Sequence, residues 1–130
     1  MELKNNALFK ETCFIGGKWT ESDSKEKIKV DNPANGEIIG EVPKCSTSET
    51  QKAIQEAQSA FPAWRDKTAK ERSIILQKWA RLIEANADDL AKIMTVEQGK
   101  PLAEAKGEIL MGVTYIDFYA EEGKRVYGDI

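Results

Sequence analysis

The 130-residue sequence predicts an α+β chain, with a small N-terminal antiparallel β-sheet over residues 1–45 and four α-helices over residues 46–128. Three observations predict it. Up to residue 45, short apolar runs alternate with turn residues, the pattern of strands and hairpins. From residue 46 the apolar residues recur every three or four positions, the helical period. Ser46 with Glu49 and Thr68 with Glu71 each have the spacing of a capping box just before such a run.

The elements follow in order. Phe14-Ile15-Gly16-Gly17-Lys18-Trp19 places a Gly-Gly turn between apolar and aromatic residues, a hairpin signal. Ile28-Lys29-Val30-Asp31 alternates with period two and returns through Asn32-Pro33-Ala34-Asn35-Gly36 to Ile38-Ile39-Gly40-Glu41-Val42. Pro33 and Pro43 bracket the pair and end its ladder on their own sides. Ala53, Ile54, Ala57, Ala60, Phe61 and Trp64 form the apolar face of the first helix, which Pro62 loosens near its end. Ile75, Leu76, Trp79, Leu82 and Ile83 form that of the second. Asn86 with Asp89 opens a third helix carrying Leu90, Ile93 and Met94, which stops at Gly99. Pro101 starts the fourth, with Leu102, Ala105, Ile109, Gly112, Ile116 and Tyr119 as its stripe and Gly123 and Gly128 as its end. Leu110, Met111, Val113, Tyr115 and Phe118 lie on its other faces. A helix apolar nearly all round expects cover on several sides, so a missing partner in cis or in trans is expected.

Composition excludes several functions. A hydrophobic fraction of 41%, a charged fraction of 32% and a net charge of −3 describe a globular chain without a basic footprint for nucleic acid. No apolar run approaches the roughly 20 residues of a membrane helix, and the first residues lack a signal peptide's apolar stretch. A cytoplasmic location is expected. There is no histidine, so the commonest general base and transition-metal ligand are both missing. Cys13 and Cys45 are read as free, partly buried thiols rather than a disulfide. Cys45 is the better nucleophile of the two, because it precedes a helix N-terminus that can lower a thiol pKa. Gly16, Gly17 and Gly36 read as turns, with no phosphate-loop spelling around them. Glu104, Glu108, Glu121 and Glu122 read as solvated helix charges, and Trp64 and Trp79 as core. No catalytic or cofactor-binding residue emerges from chemistry alone.

Spelling adds a resemblance. Asn32-Pro33-Ala34-Asn35-Gly36-Glu37-Ile38-Ile39-Gly40-Glu41-Val42-Pro43 resembles the opening strand pair of the aldehyde dehydrogenase superfamily. Phe61-Pro62-Ala63-Trp64-Arg65 with Thr68-Ala69-Lys70-Glu71-Arg72 resembles its first two helices. Glu97 through Ile109, with Tyr119 through Asp129, is similar to the bacterial NAD(P)-dependent succinate-semialdehyde dehydrogenases. The resemblance implies that residues 1–130 are one incomplete domain, the N-terminal part of an α/β Rossmann-like cofactor domain. It implies oxidation of succinate semialdehyde to succinate, in 4-aminobutyrate breakdown, through a cysteine thioester and hydride transfer to NAD or NADP. Neither Cys13 nor Cys45 sits in the family's nucleophile motif, and the family's base, oxyanion-hole asparagine and cofactor turn match nothing here. The chain by itself is therefore expected to be inactive and to bind no cofactor.

The same resemblance puts Gly107, Glu108 and Met111 on one wall of the aldehyde entrance, although Met111 reads equally well as ordinary core. It makes Asp31 and Glu97 candidates near a structural monovalent cation, with a turn carbonyl and a solvated carboxylate as the plainer reading. A small aldehyde is the implied partner, and a homodimer or homotetramer the implied assembly, with self-association of the chain through uncovered apolar surface on the fourth helix. The rival readings are a stand-alone helical interaction module and a thiol redox protein dependent on a reactive Cys45.

Overall fold

A computed structural model describes residues 1–128. Strands β1 (Cys13–Ile15) and β2 (Lys18–Thr20) pair antiparallel, as do β3 (Lys27–Asp31) and β4 (Ile38–Pro43). Each pair is its own two-stranded sheet, so the expected small sheet is two hairpins. Gly16 and Gly17 have φ of 59° and 77°, the left-handed values a two-residue hairpin turn requires. The β3–β4 loop is longer. The Asn32 carbonyl accepts from the N–H groups of Asn35 and Gly36, and its side chain accepts from Ala34. A bulge at Val30/Asp31 leads into it. Pro43 ends β4 from within, paired with Lys27.

The helices are α1 (Thr47–Arg65), α2 (Ala69–Ala85), α3 (Ala87–Gln98) and α4 (Leu102–Glu122). Both capping boxes form. α1 runs on through Pro62 to Arg65, and the Arg72 guanidinium donates to the carbonyl of Arg65 at 3.2 Å, satisfying part of the open end. No capping box opens α3. The Asn86 amide donates back to the Leu82 carbonyl at 2.8 Å, and Asp89 is used elsewhere, so α2 passes into α3 through a single residue. α4 stops at Glu122, short of the expected 128, because the N–H groups of Lys124 and Arg125 turn back to Glu121 and Glu122 in a tight turn. None of the described helices is long and apolar enough to cross a membrane.

α4 lies against α2 and α3, and the seam is built from small residues: Ala80, Ala87, Ala91, Ala105, Val113 and Ala120 are buried there with Ser73. This corrects the expected faces. In α2 the inward stripe is Ser73 and Ala80, both buried, with Leu76 and Ile83 half-buried, while Ile75, Trp79 and Leu82 form an outer ridge and Trp79 is 54% exposed. In α4, Val113 is core, whereas Leu102 and Tyr119 are exposed. In α1, Ile54 and Phe61 face outward. Backbones that approach closely need small side chains between them, so the large apolar residues occupy the faces turned away.

Gly99 closes α3 with φ of 77°, and its N–H bonds the Thr95 carbonyl. A Cβ there would meet Pro33 Cγ at 3.0 Å, which seats the α3–α4 corner on the β3–β4 loop. Gly99→Ala is therefore expected to lower stability by about 1–2 kcal/mol from the left-handed backbone alone. A reduced urea midpoint at unchanged m would show it.

Candidate functional site

Gly99 and Pro101 set the direction of α4, and the face of α4 turned away from α2 and α3 is the candidate surface. Gly107, Glu108, Met111, Tyr115 and Phe118 follow each other along it at helical spacing, and all are exposed. Met111 is 58% exposed, which removes its reading as core in this chain. Open space surrounds the Cα of Gly107. Glu108 is held by an ion pair with Lys100, from the corner itself. Beyond Met111, the residues Thr114, Tyr115, Phe118 and Tyr119 line a shallow, almost wholly apolar depression of about 290 Å³. The surface is thus a charged end at Glu108 leading to an aromatic end at Phe118. It offers shape and apolar contact, and its one carboxylate, Glu108, is engaged by Lys100.

Asp31 ends β3 and Glu97 lies in the last turn of α3. Both residues are exposed, and each lies two positions before a partner in the contact between Pro33 and Gly99. No group of three or more His, Cys, Asp or Glu side chains among the described residues is arranged to hold a metal ion.

The two thiols, 32 positions apart in the chain, are brought together with Sγ atoms 3.6 Å apart. Cys13 is half-buried and Cys45 exposed. Proximity reverses the expectation for Cys45. Its hydrogen bond to Cys13, desolvation, and the nearby carboxylates of Glu49 and Asp23 push its pKa up.

Two buried carboxylates matter more than sequence spacing indicated. Asp89 accepts from the backbone N–H groups of Lys4 at 3.1 Å and Asn5 at 2.8 Å, pinning the N-terminal segment to α3. Burial pushes its carboxyl up, but those two donors and the ammonium groups of Lys92 and Lys4 together hold it below its ordinary value. Only a pattern linking residue 5 to residue 89 could have found this. Glu49 does more than cap α1. It accepts from the N–H of Ser46 at 2.8 Å and, across 26 positions, from the N–H of Asp23 at 2.7 Å. The Ser46 hydroxyl and these N–H donors lower its pKa from an ordinary 4.5 to about 2. A depressed carboxyl stabilises the fold above its unfolded pKa and loses that contribution as pH falls through the folded one. Stability should therefore decline between pH 4.5 and 2, and Glu49→Gln should flatten that part of a urea-midpoint profile.

The model of the aldehyde dehydrogenase family matches residues 19–130. The chain is 55% identical to the glutarate-semialdehyde dehydrogenase of Pseudomonas putida over 129 residues, 99% of this chain and 27% of that protein. It is 52% identical to the NADP(+) succinate-semialdehyde dehydrogenase of Escherichia coli over the same shares. The crystal structure of a succinate-semialdehyde dehydrogenase from Burkholderia pseudomallei superposes with a TM-score of 0.96 at 52% identity, covering 99% of this chain and 27% of that one. The chain thus spans about a quarter of the length of these relatives. Asp129, the last residue of the spelling that suggested the family, lies outside the described residues.

Proposed function

The chain belongs to the aldehyde dehydrogenase family, and we propose that it is the N-terminal part of the cofactor domain of an enzyme that oxidises succinate semialdehyde to succinate with NAD or NADP. The observation that carries this reading is the 52–55% identity, across 99% of the chain, to enzymes named for semialdehydes of short dicarboxylic acids. Glutarate semialdehyde, one methylene longer, is the runner-up substrate.

In this reading the strip Gly107–Glu108–Met111 is one wall of the aldehyde entrance. Gly107 leaves room beside the helix, Met111 offers a deformable apolar contact, and the Lys100 ion pair fixes Glu108 at the rim. Asp31, at the end of β3, and Glu97, in the last turn of α3, are retained as neighbours of a structural monovalent cation. The residues of this chain do not fit a dinucleotide. The glycines at positive φ serve two hairpin loops and one helix end, so no step of the oxidation is assigned to them. The enzyme is placed in the cytoplasm, as a homodimer or homotetramer.

The test is a steady-state assay of the full-length protein with succinate semialdehyde, glutarate semialdehyde and butyraldehyde, each with NAD and NADP. A site built for the distal carboxylate discriminates against the uncharged analogue. The expected result is a kcat/KM at least about tenfold higher for succinate semialdehyde than for butyraldehyde. A preference for butyraldehyde would overturn the substrate class, and a preference for glutarate semialdehyde would overturn only the chain length.

A further inference from the structure

We propose that Cys13 and Cys45 are a dithiol modification site, oxidised by hydroperoxides to a disulfide that staples the β1–β2 hairpin to the start of α1. The thiols come from separate parts of the fold. Cys13 opens β1, where its carbonyl accepts from the Thr20 hydroxyl at 3.3 Å. Cys45 sits between β4 and the α1 N-cap Ser46, with its N–H bonded to the Pro43 carbonyl at 3.1 Å. Both backbones are thus fixed by bonds of their own, and the fold alone holds the sulfurs 3.6 Å apart. A disulfide at roughly 2.05 Å asks only a small further approach from two side chains. A metal ion is the poorer occupant, since no third ligand joins the pair among the described residues.

The reaction balances with a peroxide as the named oxidant. The exposed Cys45, as thiolate, attacks one peroxide oxygen. An S–O bond forms, the O–O bond breaks, and the departing hydroxide or alkoxide takes up a proton. Cys13 then attacks the sulfur of the Cys45 sulfenic acid. The S–S bond forms, the S–O bond breaks, and water leaves with the thiol proton. Two thiols lose two electrons in total, and the peroxide gains them. Because the partner thiol, desolvation and the nearby carboxylates disfavour the Cys45 thiolate, the reaction runs faster at alkaline pH.

The staple also has something to hold. The hairpin rests on α1 across an open crevice of about 560 Å³, lined by Phe14, Gly17, Ala53, Glu56 and Ala60 among others. A covalent link across that loosely packed contact restrains the hairpin where side-chain packing is thin.

The experiment treats full-length native protein with hydrogen peroxide at neutral pH, blocks residual thiols with N-ethylmaleimide, and digests with trypsin without reductant. Cleavage after Lys10, Lys18, Lys44 and Lys52 releases Cys13 and Cys45 on separate peptides. The expected product is the two joined, at their summed mass less two hydrogens. It should form about tenfold or more faster in the native protein than in guanidinium, since the fold supplies the proximity. It should vanish in Cys45→Ser and on adding dithiothreitol. Equal or slower formation in the native state would overturn the proposal, as would Cys45 advancing to sulfinic acid while Cys13 remains free to react with maleimide.

Discussion

Purified as it stands, the 130-residue polypeptide is expected to turn over no aldehyde with either nicotinamide cofactor. A thioester route needs a nucleophile that is ionised or has a base beside it. The chain has two thiols and no histidine. The pKa of the thiol nearer solvent is raised by its hydrogen bond to Cys13, by desolvation and by nearby carboxylates, which disfavours its thiolate. The depression on α4 is shallow and almost wholly apolar, and the Gly16-Gly17 turn abuts the Glu56 carboxylate, a poor neighbour for a phosphate. Covalent catalysis, cofactor binding and an oxyanion site together separate an enzyme from background by about a millionfold or more, and the described residues are expected to supply none of the three. The check is the absorbance of reduced nicotinamide over hours at high protein concentration. Measurable turnover that tracks the purified chain would show that the reading of Cys45 is wrong.

A second large effect is expected in the helical seam. Ala91 of α3 is fully buried where α4 passes. Leucine adds three carbons at a position with no exposed surface, where α3 packs against α4. The helices must then part or the leucine must leave its rotamer, at a cost of about 1–3 kcal/mol. For a domain of this size that is a large share of the total. Ala103 on the exposed side of α4 is the control, since leucine there is expected to change stability by less than about 0.5 kcal/mol. Chemical denaturation of both variants separates the two, and equal stabilities would mean that the seam has room to spare.

Local rules made much of this fold legible. The Gly16-Gly17 turn, the two capping boxes and the Gly99–Pro101 corner each depend on residues within a few positions of one another, and each forms as read. Burial was harder to read, because an apolar stripe says that a face wants cover and not which cover it gets. Trp79 and Tyr119 were assigned to the core by period, yet Ala80 and Ala120 beside them fill it, since close helix packing selects size over hydrophobicity. Long-range polar contacts left no local trace at all. Asp89 looked like a helix cap and proved to be the anchor of Lys4 and Asn5, and Cys13 gave no sign of Cys45. The exposed strip of α4 was legible only through spelling, because Gly107, Glu108 and Met111 have no chemistry that spacing alone would single out.

The anchoring of the N-terminus by Asp89 has a consequence for how the chain comes into being. Lys4 and Asn5 leave the ribosome well before the carboxylate that accepts from them, which follows by 85 and 84 positions, and the Lys92 ammonium that bonds the Glu2 carbonyl follows by 90. The leading segment must wait, unpaired, while both hairpins, α1 and α2 emerge and form. Closing a loop of that length costs entropy that only a formed α3 repays. The segment around Lys4 and Asn5, made before the helices, is thus fastened after them, and the carboxylate of Asp89 acts as the latch that closes once the helices behind it are in place.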